Sequence, residues 1–488
     1  MYLGIDLGTS GVKVVVIDEQ QHLVAQATVS LKVSRPNELW SEQEPEHWWQ
    51  ATNAAMAKLK RSYSSTLMQV KSIGLSGQMH GATVLDQNNK VLRPAILWND
   101  GRSEKQCIEI EQKVKNVHNI TGNLVMPGFT APKLLWLHQH ENALFNKINK
   151  VLLPKDYLRF LMTGDFASDL SDSAGTLWLD VEKRQWSTEM LSACHLNESQ
   201  MPALFEGTEI TSLLSKDVAD NWGMKRVPVA AGAGDNAAGA AGIGVVNQGD
   251  AFLSLGTSGV YFVANDAYRP NPTGALHTFC HCFENRWHQM SVILSAASCL
   301  SWVTNLTGAK SEAELLAEVA KLDFNIPCEV TFLPYLSGER TPHNNPHAKG
   351  VFFGLSHTTN RAVLCRAVLE GVAYAFADGQ QALIDAGTVI NQVSVIGGGS
   401  RSQLWGKILA STLNKTLVYR KDSDVGPAFG AANLARLAIS DEAVSDVCIA
   451  GEVINVIEPD PELVQQCSEG LALYRNLYQS LKPHFSNI

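Results

Sequence analysis

The sequence predicts an α/β protein of two similar lobes facing a shared cleft, and three observations carry that expectation. The hexapeptide Leu7-Gly8-Thr9-Ser10-Gly11-Val12 returns unchanged as Leu255-Gly256-Thr257-Ser258-Gly259-Val260, near the middle of a 488-residue chain. Each copy is flanked by apolar, strand-like runs: Tyr2 to Ile5 and Val14 to Ile17 around the first, Phe252 to Leu255 and Tyr261 to Val263 around the second. Strand, glycine turn, strand is the pattern of a β-hairpin. The length also exceeds what one core normally supports, so two or more domains are expected. One copy alone would read as an ordinary tight hairpin. An identical pair, one per half, points to a repeated unit. Glycine lets backbone come close to a ligand, and a turn of free N–H groups binds anions, so two facing turns suit one polyphosphate.

Composition narrows the class. Apolar content of 45% and charged content of 18% describe a folded protein with side chains enough for two cores. A net charge of −9 argues against nucleic acid as a partner, because phosphate-tracking proteins carry a basic surface. It leaves ATP open, which needs only a local pocket of donors. The nine cysteines are scattered and odd in number, and the chain starts directly on the strand-like Tyr2 to Ile5. Reduced thiols and a cytoplasmic location are the expectation. Cys280-His281-Cys282 lacks the second pair that a zinc site needs, which favours a structural role. No apolar run is long enough for a membrane span.

Along the chain, residues 2–29 read as three antiparallel strands, with Lys13 a solvated strand residue. Ser41 is placed as the cap of a helix starting near Glu42, with Pro45 in its first turn and Trp48 and Trp49 as core residues. Residues 70–75 form a buried strand ending in Ser76-Gly77-Gln78-Met79-His80-Gly81. Shorter strands follow at 82–85, 95–98 and 151–153, with helices at 103–114, 131–140 and 156–162. Residues 163–226 carry no clear period. A strand at 227–231 runs into Gly232-Ala233-Gly234-Asp235-Asn236-Ala237 and a helix of small residues to Gly242. The lobe boundary is placed near 245, giving lobes of 1–245 and 246–488. In the second lobe, helices are expected at 295–306, 312–322 and 361–384, and strands at 331–336 and 393–396. A further helix should start at Asp424-Val425-Gly426-Pro427-Ala428, and the rest from about 440 reads as helical.

Several motifs carry chemistry. No G-x-x-x-x-G-K-[ST] is present, which argues against a P-loop enzyme. Gly232-x-Gly234-x-x-Ala237 fits a relaxed dinucleotide fingerprint, so a Rossmann dehydrogenase stands as an alternative. Asp235 is a lone carboxylate among glycines and alanines. It suits a helix N-cap and a catalytic base about equally. Asp6 lies in a buried strand directly before the first hexapeptide, where the second copy has Ser254. A buried carboxylate needs a partner, and a magnesium ion on the nucleotide phosphates, held through water, supplies one. The competing reading is a local Asx bond into the turn. Gly397-Gly398-Gly399-Ser400 is a third glycine loop after a strand and suits the adenosine moiety.

Taken together these residues resemble the FGGY carbohydrate kinases, which share the actin and Hsp70 ATPase fold. Gly128-x-Thr130-x-x-Lys133-Leu134-x-Trp136-Leu137-x-Gln139-His140 fits one family signature. Gly350 to Leu355 with Ala367-Val368-Leu369-Glu370 resembles the other, with Val363 where a polar residue is usual. The loops at 76–81, 97–102, 234–239 and 335–343 place the chain nearest the members that phosphorylate pentuloses. The resemblance implies two ribonuclease-H-like lobes around a central cleft, with sugar on the N-terminal lobe and nucleotide on the C-terminal one. It implies ATP and Mg²⁺ as cofactors and D-xylulose as substrate. Ribulose, gluconate, rhamnulose or glycerol are alternatives, as is an actin-like ATPase without a metabolic role. Asp235 becomes the proton acceptor and Asp6 the magnesium-side carboxylate, with Met79, His80 and Asn236 on the sugar. Gly8, Thr9, Ser10, Gly256, Thr257, Gly398, Gly399 and Ser400 are the expected ATP contacts. A homodimer is left open.

Overall fold

The computed structural model describes residues 1–421 and 426–486. Two mixed sheets dominate it, and they repeat one topology. The first is built from β1 (Tyr2–Leu7), β2 (Gly11–Ile17), β3 (Leu23–Ser30), β4 (Ser72–Gly77), β5 (Ile210–Leu213) and β6 (Pro228–Ala230), in the order β5-β6-β4-β1-β2-β3. β1 to β3 form an antiparallel meander, and β4 and β6 then add in parallel on the other side of β1. The second contains β7 (Ala251–Leu255), β8 (Gly259–Asn265), β9 (His277–Cys280), β10 (Trp287–Ile293), β11 (Val393–Ile396), β12 (Leu417–Arg420) and β13 (Val453–Ile457). Its order is β9-β10-β8-β7-β11-β12-β13, again a meander of β7, β8 and β10 followed by two parallel strands. The antiparallel meander at the head of each sheet rules out the all-parallel Rossmann arrangement.

Alternation along β1 sets the geometry of the cleft. Leu3, Ile5 and Leu7 are fully buried against the helix α1 (Pro45–Leu67), with Trp48, Ala55, Met56 and Leu59 opposite them. Tyr2, Gly4 and Asp6 therefore face the other way. That second face is covered by a helix from the far end of the chain. Between them come α2 (Pro154–Thr163), α3 (Asp235–Gly242), α4 (Arg361–Asp385) and α5 (Gln403–Leu413), and the covering helix is α6 (Pro427–Leu437). Gly4 and Gly74 are register partners on neighbouring strands. A β-carbon on Gly4 would sit 1.9 Å from the Ala428 carbonyl oxygen, and one on Gly74 1.9 Å from that of Ala431. The opposite side of α6 meets α3 in the same way, since a β-carbon on Gly430 would lie 1.8 Å from the Ala238 oxygen. So α6 is packed backbone to backbone between the first sheet and α3, and the N-terminus of α3 is fixed above the ends of β1 and β4.

Some expectations change. Ser41 does not cap the first helix; its N–H donates to Asp100 Oδ2 at 2.6 Å. Glu42–Gln43 is a two-residue strand paired to Ala95–Ile96, and the helix begins only at Pro45, where the missing N–H costs nothing. The tail beyond 440 is not all helix, since β13 extends the second sheet before α7 (Pro461–Phe485). Exposed Val453, Ile454 and Val456 on that edge strand hide its period. Lys13 is not simply solvated, because it pairs across the ladder with Asp6. Asp424 and Val425, expected to lead into a helix, lie outside the described residues; that helix is α6.

The close glycine contacts make a direct prediction. Gly74→Ala should destabilise by about 1–3 kcal/mol or more, because a backbone carbonyl cannot move aside as a side chain can. Thermal unfolding checks it, with Gly398→Ala as the control, because a β-carbon at Gly398 meets nothing within 4 Å.

Candidate active site

Asp6 ends the inner face of β1, beside Ser76 on β4. Its Oδ1 is buried and has no hydrogen-bond partner among the described residues. Burial, and then the negative charge of Asp235, push its pKa up to about 7. The Ser76 hydroxyl and then the Lys13 charge pull in the other direction but do not offset this. Asp235 is the first residue of α3, and Gly234 is the N-cap, so the cap role considered for Asp235 passes to its neighbour. The Asp235 Oδ1 accepts from the backbone N–H of Asn236 at 2.8 Å and from Asn236 Nδ2 at 2.9 Å. Burial raises its pKa to about 6 in spite of those donors. The fold thus brings two carboxylates into each other's field, and the Lys13 charge does not offset the burial of Asp6.

The first hexapeptide turn is braced from outside. The Gly8 N–H donates to Gly11 O at 3.0 Å, closing the hairpin, and the N–H of Leu31 donates to Ser10 O at 2.8 Å. Thr9 Oγ1 donates to Gln78 Oε1 at 2.7 Å and accepts from Trp98 Nε1 at 3.0 Å. Gln43 Nε2 donates to Thr9 O, while Gln43 Oε1 accepts from Gln78 Nε2 and Trp48 Nε1. Ser10 is exposed, with its side chain unpartnered among the described residues.

The second turn is held by its carbonyls instead. Gly256 O accepts from Ala297 N at 2.8 Å, and Thr257 O from Ala296 N at 2.9 Å and Ser298 Oγ at 2.7 Å. Thr257 keeps its own hydroxyl exposed, and with Gly398 and Gly399 it lines a cavity of about 710 Å³. Leu300, Leu316 and Trp405 give that cavity an apolar wall. Glycines beside an apolar slot suit a flat ring system such as a nucleotide base. Ser400 turns inward, its Oγ donating to Gly397 O at 2.6 Å, so it shapes the loop. The first hexapeptide does not line this cavity.

Beside Asp235, Met79 is buried against Gly234, where an added β-carbon would lie 3.0 Å from its sulfur. This brings the loop at 78–80 alongside Asp235 and Asn236. His80 takes a left-handed backbone conformation, φ 68°. Its Nδ1–H donates to Gly175 O at 2.6 Å, which leaves Nε2 as an acceptor. Burial holds its pKa down to about 3, so the ring is neutral. Phe129 meets the ring edge-on at 4.9 Å between centroids. Lys133 Nζ donates to His80 O at 2.9 Å and to Gly128 O at 2.7 Å, and burial lowers its pKa to about 7. Lys133 therefore serves the backbone of this loop.

Gln43, Gln78 and Trp98 are given no role by sequence, although Gln78 and Trp98 lie in quoted loops. Their roles depend on contacts between segments distant in the chain. Arg340 is another such residue, with Nη1 3.3 Å from His277 Nε2.

Comparison with known proteins agrees with this geometry. Residues 1–242 match the FGGY family of carbohydrate kinases, N-terminal domain, and residues 251–439 match the C-terminal domain of the same family. The chain is 54% identical to the xylulose kinase of Escherichia coli strain K12 over 484 residues, covering 99% of each. It is 35% identical to that of Bacillus subtilis strain 168 over 487 residues, covering 98% of this chain and 97% of the other. Among solved structures, a kinase from Brucella ovis superposes with a TM-score of 0.96 at 48% identity, and the xylulose kinase from Rhodospirillum rubrum with 0.93 at 27%, each covering 99% of both chains. Two family models that match both halves, and relatives matched over nearly the full length, lead to one conclusion: the chain belongs to the FGGY family of carbohydrate kinases.

Proposed function

We propose that the chain transfers the γ-phosphoryl group of ATP to the 5-hydroxyl of D-xylulose, giving D-xylulose 5-phosphate and ADP. The observation that carries the reading is the Asp235 carboxylate at the start of α3. Its Oδ1 is occupied by Asn236 and its pKa is raised to about 6, while Met79 packs on the preceding residue. The similarity to xylulose kinases over the whole chain supports the choice of sugar.

Phosphoryl transfer through a loose transition state asks for alignment and charge neutralisation more than for covalent help. Asp235 would accept the proton of the attacking hydroxyl as the P–O bond forms. A base near neutrality is well matched to that task. His80 Nε2 would accept from a sugar hydroxyl, and Asn236, whose Nδ2 orients Asp235, would place its carbonyl oxygen toward the substrate. The N–H groups of Gly8 to Ser10 and of Gly256 to Thr257 would hold phosphate oxygens from opposite lobes, with Gly398 and Gly399 under the adenosine.

The residues present also fit a magnesium ion. Asp6 Oδ1 is buried without a partner, and the Asp6 and Asp235 charges oppose each other. A cation near Asp6, bound through water, would relieve both and neutralise phosphate charge.

A coupled ADP-release assay over D-xylulose, ribulose, gluconate, rhamnulose and glycerol tests the substrate. D-Xylulose should have the highest kcat/KM, and a better turnover of any other compound refutes the assignment. Asp235→Ala should lose about 10²- to 10⁴-fold in kcat and keep its ATP affinity, read by calorimetry. The proton acceptor must be ionised, so kcat/KM should climb as pH rises through about 6 and level off above it. Asp6 is different, because its raised pKa penalises the folded state wherever it is ionised. That penalty is absent at low pH and grows as pH rises from the unfolded value toward about 7. Asp6→Asn should therefore raise the metal-free Tm at pH 8 by about 2–4 °C, with a smaller gain at pH 5, while the Mg²⁺ needed for half-maximal activity increases.

A further inference from the structure

Residues 163–226 carry no readable period, yet Asp169 and Asp172 within them join Lys155 and Asp156 in a fully buried polar cluster. Asp169 ends the short strand Ala167–Asp169 and caps a helix, Leu170–Ala174. Its Oδ2 accepts from the N–H groups of Ser171 at 2.7 Å and Asp172 at 3.2 Å, and from Ser171 Oγ. Lys155, on α2, reaches Asp169 Oδ1 at 2.7 Å, Asp156 Oδ1 at 2.6 Å and Asp172 Oδ2 at 3.2 Å. All four side chains are fully buried. Removing so many charges from water costs about what their attraction returns, so a net stabilising role explains the cluster poorly. Lys155 and Asp169 do fix geometry here, because each is held by several contacts at once.

Both ends of the short helix touch the active site. At its start, Ser171 Oγ accepts the N–H of Gly234 at 3.1 Å, and Gly234 is the N-cap of the helix that carries Asp235. At its end, Gly175 O accepts from His80 Nδ1 at 2.6 Å. A β-carbon on Gly175 would lie only 2.7 Å from the His80 ring. The two contacts are one helix apart and join loops that are distant in sequence.

We propose that the buried helix Leu170–Ala174, anchored by Lys155 and Asp169, sets the spacing between His80 and Asp235, with Ser171 and Gly175 as positioning residues at its two ends. This rests on the reading of Asp235 as base and His80 as sugar contact. Ser171 holds the N-cap of α3 and through it the direction of the Asp235 carboxylate. Gly175 holds the imidazole tautomer and the place of Nε2. Each end then governs a different kinetic quantity. Loss of the Ser171 hydroxyl leaves the sugar bound but the base misaimed, and misplacements of about 1 Å can cost roughly 10²-fold in rate. A methyl at residue 175 displaces the imidazole and weakens sugar binding.

Steady-state kinetics on Ser171→Ala and Gly175→Ala, with ATP affinity and Tm measured on each, tests this. Ser171→Ala should lower kcat roughly 10- to 100-fold with the sugar KM within about twofold of the parent. Gly175→Ala should raise the sugar KM about tenfold or more with a smaller change in kcat; about 1.4 kcal/mol of lost binding gives that factor. ATP affinity should stay unchanged in both. Normal kcat in folded Ser171→Ala overturns the proposal, as does a parallel loss of kcat and KM in both variants. If Ser171→Ala fails to fold, the KM shift in Gly175→Ala decides alone. Asp235→Asn separates the two levels. If it turns over normally, the base reading fails whatever Ser171 does. If it is inactive while Ser171→Ala is normal, only the positioning role falls.

Discussion

The active site depends on a helix that meets a sheet backbone to backbone at two glycines. Gly4 and Gly74 leave the centre of the first sheet flat, and the carbonyl groups of Ala428 and Ala431 occupy the space where β-carbons would be. Gly430 repeats the arrangement toward Ala238. Each contact removes the freedom of a side chain to adjust, so the three layers have a single separation. Asp6 sits two residues beyond Gly4 on the same face, and Asp235 starts the helix that Gly430 touches. The relation between the two carboxylates follows from backbone packing, which is more rigid than any side-chain contact.

Against that rigid frame the charges are left unbalanced. Asp6 has a bare oxygen and a neighbour of like charge, and burial raises both pKa values. A protein selected for stability alone would place a cation or an amide there. The contrast with Lys155 is instructive, since that cluster surrounds one ammonium with three carboxylates and is closed to solvent. One set of charges is gathered on a single buried ammonium and holds shape. The other is left unsatisfied at the cleft, where ligands can complete it.

The sequence carried the repeated parts of this structure and not the connecting ones. Both hexapeptide turns, the Val393–Ile396 strand and the helix after Gly234 were legible because glycine punctuation and apolar runs mark them locally. Asp6 and Asp235 stood out as single carboxylates in apolar surroundings. The helix Leu170–Ala174 did not, since five residues are too few for a period and its capping aspartate and serines read equally well as a loop. Gln43, Gln78 and Trp98 were invisible for another reason: their bonds to Thr9 join four distant segments, and no local pattern encodes that. Ser41 was misread as a cap because a serine before acidic residues is a good cap in isolation; the short pairing of Glu42–Gln43 with Ala95–Ile96 overrides it.

The origin of α6 in the C-terminal half has a consequence for biosynthesis. The first sheet is complete once Ala233–Gly234, its last strand, has emerged, but the face bearing Gly4 and Gly74 stays bare until residues 427–437 have been translated. During that interval a ribosome would carry a lobe with one wall missing, its polar backbone open to water and to neighbouring nascent chains. An N-terminal fragment ending at the lobe boundary would stay in that condition permanently. The first half of the chain is thus a unit of topology without being a unit of synthesis.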